Sequence, residues 1–270
     1  MNSSHSPRTG AGFTAPAKKQ LGQHFLADAH YVEKIVLAVN PKAGDRLVEI
    51  GPGQGAITFP LLRRHPKLTV IEFDRDLIAP LTAAAAPLGE LTIVHRDVLQ
   101  VDFTELAGAS PIRLVGNLPY NISSPILFHA LEHAAAISDM TFMLQKEVVD
   151  RMAAAPGSKV YGRLSVMLQA FCEVTSLFVV PPGAFRPPPK VDSAVVRLVP
   201  RDPASVGIDD HKRFAEVVKA AFGQRRKTLR NALNGVITEA QFEAADVRSD
   251  MRAEQLEVDD FIRLANAPHA

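Results

Sequence analysis

Tryptophan is absent from this 270-residue chain, and cysteine occurs once, at Cys172. A single cysteine closes no internal disulfide, so the fold is not a disulfide scaffold and a reducing, cytoplasmic setting is expected. The thiol sits in the apolar run from Ala170 to Val180, where it reads as a small core residue rather than a nucleophile. An excess of one charge sign is also missing. The chain has 30 Lys and Arg against 29 Asp and Glu, a net +1, so any basic footprint for a polyanion must be local. No apolar run approaches the roughly 20 residues of a bilayer-spanning helix, which argues against a membrane protein. Residues 1–17 lack the apolar centre of a secretory signal. They are rich in Ser, Thr, Gly and Pro, the composition of a disordered leader. There is no internal repeat, and no metal site is expected.

What is present is enough apolar material for a sizeable core, 47% of the chain. It is arranged in short buried runs at Asp45–Ile50, Leu68–Ile71, Leu91–Val94, Ile112–Val115 and Met140–Leu144, with helical segments between them. That alternation predicts an α/β fold with a parallel, doubly wound sheet. Two further strand-like runs flank the proline-rich stretch Pro181–Pro189 and predict a terminal antiparallel pair. The composition shifts at Pro200-Arg201-Asp202-Pro203, beyond which every segment reads helical. The expected organisation is therefore a leader (1–17), a catalytic α/β domain (18–200) and a small all-helical domain (201–270).

The turn Gly116-Asn117-Leu118-Pro119-Tyr120-Asn121 hangs from the carboxyl end of a predicted strand, where open α/β sheets place their ligands. Its residue types suit an exocyclic amino group on a flat ring, whose nitrogen lone pair is delocalised. The Asn117 side-chain carbonyl can accept one amino hydrogen and the Leu118 backbone carbonyl, held extended by Pro119, the other. The Tyr120 ring can stack on the base. A second turn, Gly51-Pro52-Gly53-Gln54-Gly55, follows the first strand. It is not the Gly-x-Gly-x-x-Gly of pyrophosphate binders, and Glu49 just ahead of it would repel a pyrophosphate. An acid there suits a cofactor carrying a sulfonium and an ammonium, which points to S-adenosyl-L-methionine. Glu72, at the end of the second strand, is placed for ribose hydroxyls, and Asp97, after the third, for an adenine amino group.

Across Lys18–Asn266 the chain resembles the small-subunit rRNA adenine N6,N6-dimethyltransferases. The resemblance is carried by Lys18-Lys19-Gln20-Leu21-Gly22-Gln23-His24-Phe25-Leu26, Glu49-Ile50-Gly51-Pro52-Gly53, and Gly116 to Ser123. It continues through Phe185-Arg186-Pro187-Pro188-Pro189-Lys190-Val191-Asp192-Ser193 and Phe222 to Asn231. It implies a Rossmann-like class I methyltransferase sheet, with cofactor contacts from His24, Leu26, Gly51, Glu72, Asp97 and Asn117. It also implies Phe185 as a second stacking ring opposite Tyr120. The implied reaction is methylation of N6 on two adjacent adenosines in the 3′-terminal hairpin loop of 16S rRNA, within the small ribosomal subunit, during its biogenesis. The partners expected are that RNA and neither DNA nor membrane, and the protein is expected to be a monomer. RNA contact is expected from Arg225, Arg226, Lys227 and Arg230, assisted by Lys18 and Lys19. Two rival readings are a large-subunit (23S) rRNA adenine methyltransferase of the antibiotic-resistance type and an assembly factor with a weakly active site.

Overall fold

The computed structural model describes residues 24–268 apart from Arg225, so the leader, Lys18 and Lys19 lie outside the described residues. The strands are β1 (Phe25–Leu26), β2 (Leu47–Ile50), β3 (Lys67–Glu72), β4 (Glu90–His95), β5 (Ile112–Asn117), β6 (Ile137–Gln145), β7 (Cys172–Val180), β8 (Phe185–Arg186) and β9 (Ser193–Pro200). Helices α1 (Ala29–Val39), α2 (Thr58–Arg64), α3 (Arg75–Ala85), α4 (Phe103–Ala107) and α5 (Ser123–Glu132) alternate with the first strands. Three of these begin at an aspartate cap. Asp28 caps α1 by accepting from the His30 N–H, and Asp74 and Asp102 do the same for α3 and α4. The α1 helix stops where Asn40 turns left-handed just ahead of Pro41.

A seven-stranded sheet runs in the order β4-β3-β2-β5-β6-β9-β7. The pairs β2–β3, β3–β4, β2–β5 and β5–β6 are all parallel. From β2 the chain winds outward through β3 and β4, then returns to the other side of β2 with β5 and β6. The reversal falls between β2 and β5, and their carboxyl ends open the crevice in which such sheets bind ligands. The two strand-like runs that flank the proline-rich stretch are β7 and β9, which are neighbours at one end of the sheet. The two-residue antiparallel pairing of β1 with β8, Leu26 opposite Phe185, was not predicted. Neither strand is long enough to leave a pattern.

The amino ends of β5 and β6 are tied by Arg113 on β5. Its guanidinium meets both carboxylate oxygens of Asp139 on β6, at 2.8 and 2.9 Å, and Asp45 at 2.5 Å. It also donates to the carbonyls of Val39 and Asn40 at the end of α1, where the helix leaves acceptors unpaired. Cys172 is buried, and burial pushes its thiol up to about 12.

By packing the chain divides into two compact units. One runs up to Gln145 and resumes over Phe178–Val195; the other is Lys146–Leu177 with the residues from Val196 on. This differs from a single cut after Pro200, because Lys146–Leu177 goes with the C-terminal helices. The second unit contains α6 (Lys146–Met152), α7 (Arg163–Phe171), α8 (Pro203–Val206), α9 (His211–Ala221), α10 (Leu229–Ala232), α11 (Glu239–Ala244) and α12 (Val258–Asn266). Its core includes Phe214 and Phe261, with the Phe222 ring 5.6 Å from Phe261. The buried Tyr161 hydroxyl donates to the Leu256 carbonyl at 3.0 Å.

Candidate active site

Two glycines allow the crevice to form. At Gly116 an added Cβ would stand 2.5 Å from the Ile50 carbonyl oxygen, so only glycine lets the end of β5 lie this close to the end of β2. Gly53 has φ 54°, and its N–H donates to Glu72 Oε2 at 3.3 Å. The loop after β2 is thereby latched to the end of β3.

The crevice encloses a cavity of about 280 Å³, lined among others by His24, Leu26, Glu49, Gly51, Glu72, Asp97, Asn117, Leu118, Pro119 and Tyr120. Residues read separately from four strand ends and the amino-terminal stretch thus meet in one space. Its wall carries three carboxylates. Glu49 is 1% exposed and accepts a hydrogen bond from the Thr58 hydroxyl at 2.6 Å. Burial, reinforced by the Glu72 charge, pushes its carboxyl up to about 8. Glu72 is also raised by burial, although the N–H groups of Asp74 and Gly53 favour its charged form. Asp97 accepts from the Leu99 N–H through Oδ1 at 3.0 Å, which leaves Oδ2 for a ligand. A wall of this kind favours a cation with hydrogen-bond donors.

On the β5 side, the Asn117 amide nitrogen donates to the His24 backbone carbonyl at 3.0 Å. With the nitrogen engaged, the amide oxygen is the end left to accept. The Leu118 N–H is used by the Met143 carbonyl at 3.1 Å, so the backbone at Leu118 is fixed while its side chain is buried. Tyr120 is half-buried. Its ring stacks on the His24 imidazole, centroids 5.7 Å apart and planes at 26°, and its hydroxyl lies 2.7 Å from Ser193 Oγ. The His24 Nδ1 sits 3.0 Å from the Pro187 carbonyl. A carbonyl only accepts, so Nδ1 carries the hydrogen.

Phe185 is a correction. Its ring is 0% exposed within the apolar core beside Leu26 and Ala184, and it does not line the cavity. In this arrangement the ring has no free face for a base, because pairing of β8 with β1 turns it inward. The basic cluster also differs from expectation. Arg226 and Lys227 are exposed as expected, but they lie in the turn between α9 and α10, not on a helix. Arg230 forks onto Glu239 at 2.7 and 3.2 Å and reaches Ser249 at 3.1 Å, so its charge is partly matched. Arg225, like Lys18 and Lys19, lies outside the described residues.

Sequence reasoning missed Phe73, which lines the cavity directly after Glu72 with 64% of its surface exposed. The signal available was an aromatic next to a strand-end acid. It also missed Ser193, a buried hydroxyl whose partner lies in a distant loop.

A sequence model of the family described as ribosomal RNA adenine dimethylase matches residues 15–269. A ribosomal RNA small subunit methyltransferase A from Xanthomonas euvesicatoria pv. vesicatoria (strain 85-10) is 79% identical over 256 residues, covering 95% of this chain and 98% of that one. One of the same name from Xanthomonas oryzae pv. oryzae (strain PXO99A) is 78% identical over 260 residues, covering 96% and 99%. Among solved structures, a dimethyladenosine transferase from Plasmodium falciparum aligns with TM-score 0.78 and 27% identity, over 89% of this chain and 96% of that one. The 23S rRNA methyltransferase ErmE aligns with TM-score 0.69 and 25% identity, over 90% and 98%.

Proposed function

The chain belongs to the ribosomal RNA adenine dimethylase family, and on that premise we propose that it methylates N6 of two adjacent adenosines in the 3′-terminal hairpin loop of 16S rRNA, giving N6,N6-dimethyladenosines during small-subunit biogenesis. The observation that carries the reading is the meeting of Glu49, Glu72, Asp97 and the oriented Asn117 amide at one cavity.

S-adenosyl-L-methionine fits this donor set. Glu72 offers acceptors for ribose hydroxyls, Asp97 one for an adenine amino group, and Phe73 a flat apolar surface beside both. Glu49 supplies negative charge at depth once a bound cation draws off its proton, with Gly51, His24 and Leu26 shaping the remaining wall. When bound, the cofactor supplies a methyl group on a cationic sulfur. The protein's own part is orientation and hydrogen-bond polarisation. The Asn117 Oδ1 and the Leu118 carbonyl accept the two amino hydrogens of the target adenine, which localises the nitrogen lone pair toward the methyl. Tyr120 stacks on the base after it leaves its own stack. Such stacking is worth about 1–3 kcal/mol per base, enough to offset much of the extrusion cost. No protein base is required, since the nitrogen becomes acidic as it is alkylated.

Catalysis is assigned to residues 18–200, and RNA docking to Arg225, Arg226 and Lys227 of the helical 201–270 region, with Lys18, Lys19 and Arg230 contributing. The protein is proposed to act as a cytoplasmic monomer; among the described residues no helix is long and apolar enough to cross a membrane. The test is nucleoside mass spectrometry after incubating the protein and S-adenosyl-L-methionine with unmethylated ribosomal subunits. N6,N6-dimethyladenosine in 16S rRNA is the expected outcome. Modification of 23S rRNA instead would establish the alternative that the likeness to ErmE represents.

A further inference from the structure

Tyr120 lies in the loop beyond β5, where no strand pairing sets the direction of its side chain. Its ring is held by two contacts of different kinds. The imidazole of His24 covers one face, which leaves the other for a base. The hydroxyl, at the far end of the ring, lies 2.7 Å from the Ser193 hydroxyl. Ser193 is the first residue of β9 and is 0% exposed, so its side chain has little room to follow a moving partner. An anchor at the far end stops the ring from swinging about Cα–Cβ, while the stack on His24 sets its turn about Cβ–Cγ; the stack alone would permit sliding. His24 is fixed in turn by the Pro187 carbonyl, and its own carbonyl orients Asn117. Asn117 and Tyr120 are therefore both registered against residues from elsewhere in the chain.

We infer that Ser193 is a positioning residue for methyl transfer, its hydroxyl fixing the far end of the Tyr120 ring and so the place at which the target adenine stacks. This deepens the proposed function and rests on its assignment of Tyr120 as the stacking platform. The Tyr120 hydroxyl thereby acquires a role without touching substrate. A merely structural bond would serve only to satisfy a buried serine, and its loss would cost stability and nothing in the chemical step.

The experiment is a double-mutant cycle on the full chain with unmethylated small subunits, reading the single-turnover methylation rate alongside cofactor affinity by calorimetry. Ser193→Ala and Tyr120→Phe should each slow the step roughly 10- to 100-fold, the range in which small misplacements of reacting groups act. The double variant should be no slower than the worse single, and cofactor affinity should stay at the wild-type value. Ser193→Thr, which keeps the hydroxyl, should recover part of the rate. A wild-type rate in Tyr120→Phe, or losses that multiply in the double variant, would overturn the inference. Should Ser193→Ala fail to fold, Tyr120→Phe breaks the same bond from its half-exposed end and decides alone. A wild-type protein that binds no S-adenosyl-L-methionine would instead overturn the proposed function.

Discussion

The side-chain amide of Asn117 is oriented by the backbone carbonyl of His24, 93 residues away in the chain and 3.0 Å away in space. That bond settles which end of the amide faces the cavity. Asn117→Ala should lower the single-turnover methylation rate on the order of 10²-fold or more, as removal of one preorganised polar contact does elsewhere. Asn117→Asp keeps an acceptor but sets a carboxylate oxygen against the His24 carbonyl, and should be similarly slow. A wild-type rate in Asn117→Asp would show that the orientation is unimportant.

Glu49 should make cofactor binding pH-dependent. Burial pushes its carboxyl up to about 8, which keeps it mostly neutral at pH 7, and a cationic cofactor would favour the ionised form. S-adenosyl-L-methionine affinity should rise from pH 6 to 8 and level off above, with release of a proton on binding near pH 7. Calorimetry in buffers of different ionisation heat measures that proton, and Glu49→Gln should abolish it. Affinity flat across this range would separate Glu49 from the cofactor.

The same carboxyl bears on stability with a definite sign. Its folded pKa lies above the unfolded value of 4.5, so the folded state binds more protons between those values. Its contribution to stability is full below about 4.5 and is lost as pH rises through about 8. In the absence of cofactor, Glu49→Gln should therefore unfold at a higher temperature than wild type at pH 8, with the advantage shrinking toward pH 5. Thermal unfolding at the two pH values is the measurement, and an advantage that grows toward acid would contradict it.

Arg113 is a partner to two acids and two carbonyls at a largely buried position. Arg113→Ala leaves Asp139 buried without its guanidinium, which should cost about 3–5 kcal/mol of stability. Denaturant titration should show the midpoint move. A shift below about 1 kcal/mol, the worth of an exposed ion pair, would mean that water replaces the guanidinium freely.

For RNA docking, Arg226→Ala and Lys227→Ala should each flatten the salt dependence of small-subunit RNA affinity by about 0.7–0.9 log units per lost phosphate contact. Arg230→Ala should have the smallest effect, because Glu239 already competes for that guanidinium. Cofactor affinity should be unchanged in all three. Unchanged salt slopes for Arg226→Ala and Lys227→Ala would reduce those residues to solvated surface.

What the sequence by itself determined is what local chemistry controls. Short apolar runs separated by helical segments specify a parallel wound sheet, since each strand must bury both faces under helices. The residues at the carboxyl ends of those strands, Glu72, Asp97 and Asn117, must then come together, because the carboxyl ends of parallel strands share one edge. The glycines at 51 and 53 were legible as a turn for the same local reason, whereas Gly116, read as the start of a turn, belongs to β5. Only the tertiary structure decided which atoms do what. The Asn117 amide takes its direction from His24, the Tyr120 hydroxyl finds Ser193 across 73 residues, and His24 is held by Pro187 across 163. No periodicity records such pairings, because each depends on one donor meeting one acceptor from a remote loop. The inward turn of Phe185 and the capture of Arg230 by Glu239 have the same origin. Their residue types allowed either role, and the backbone register of β8 with β1 and the approach of α11 chose between them.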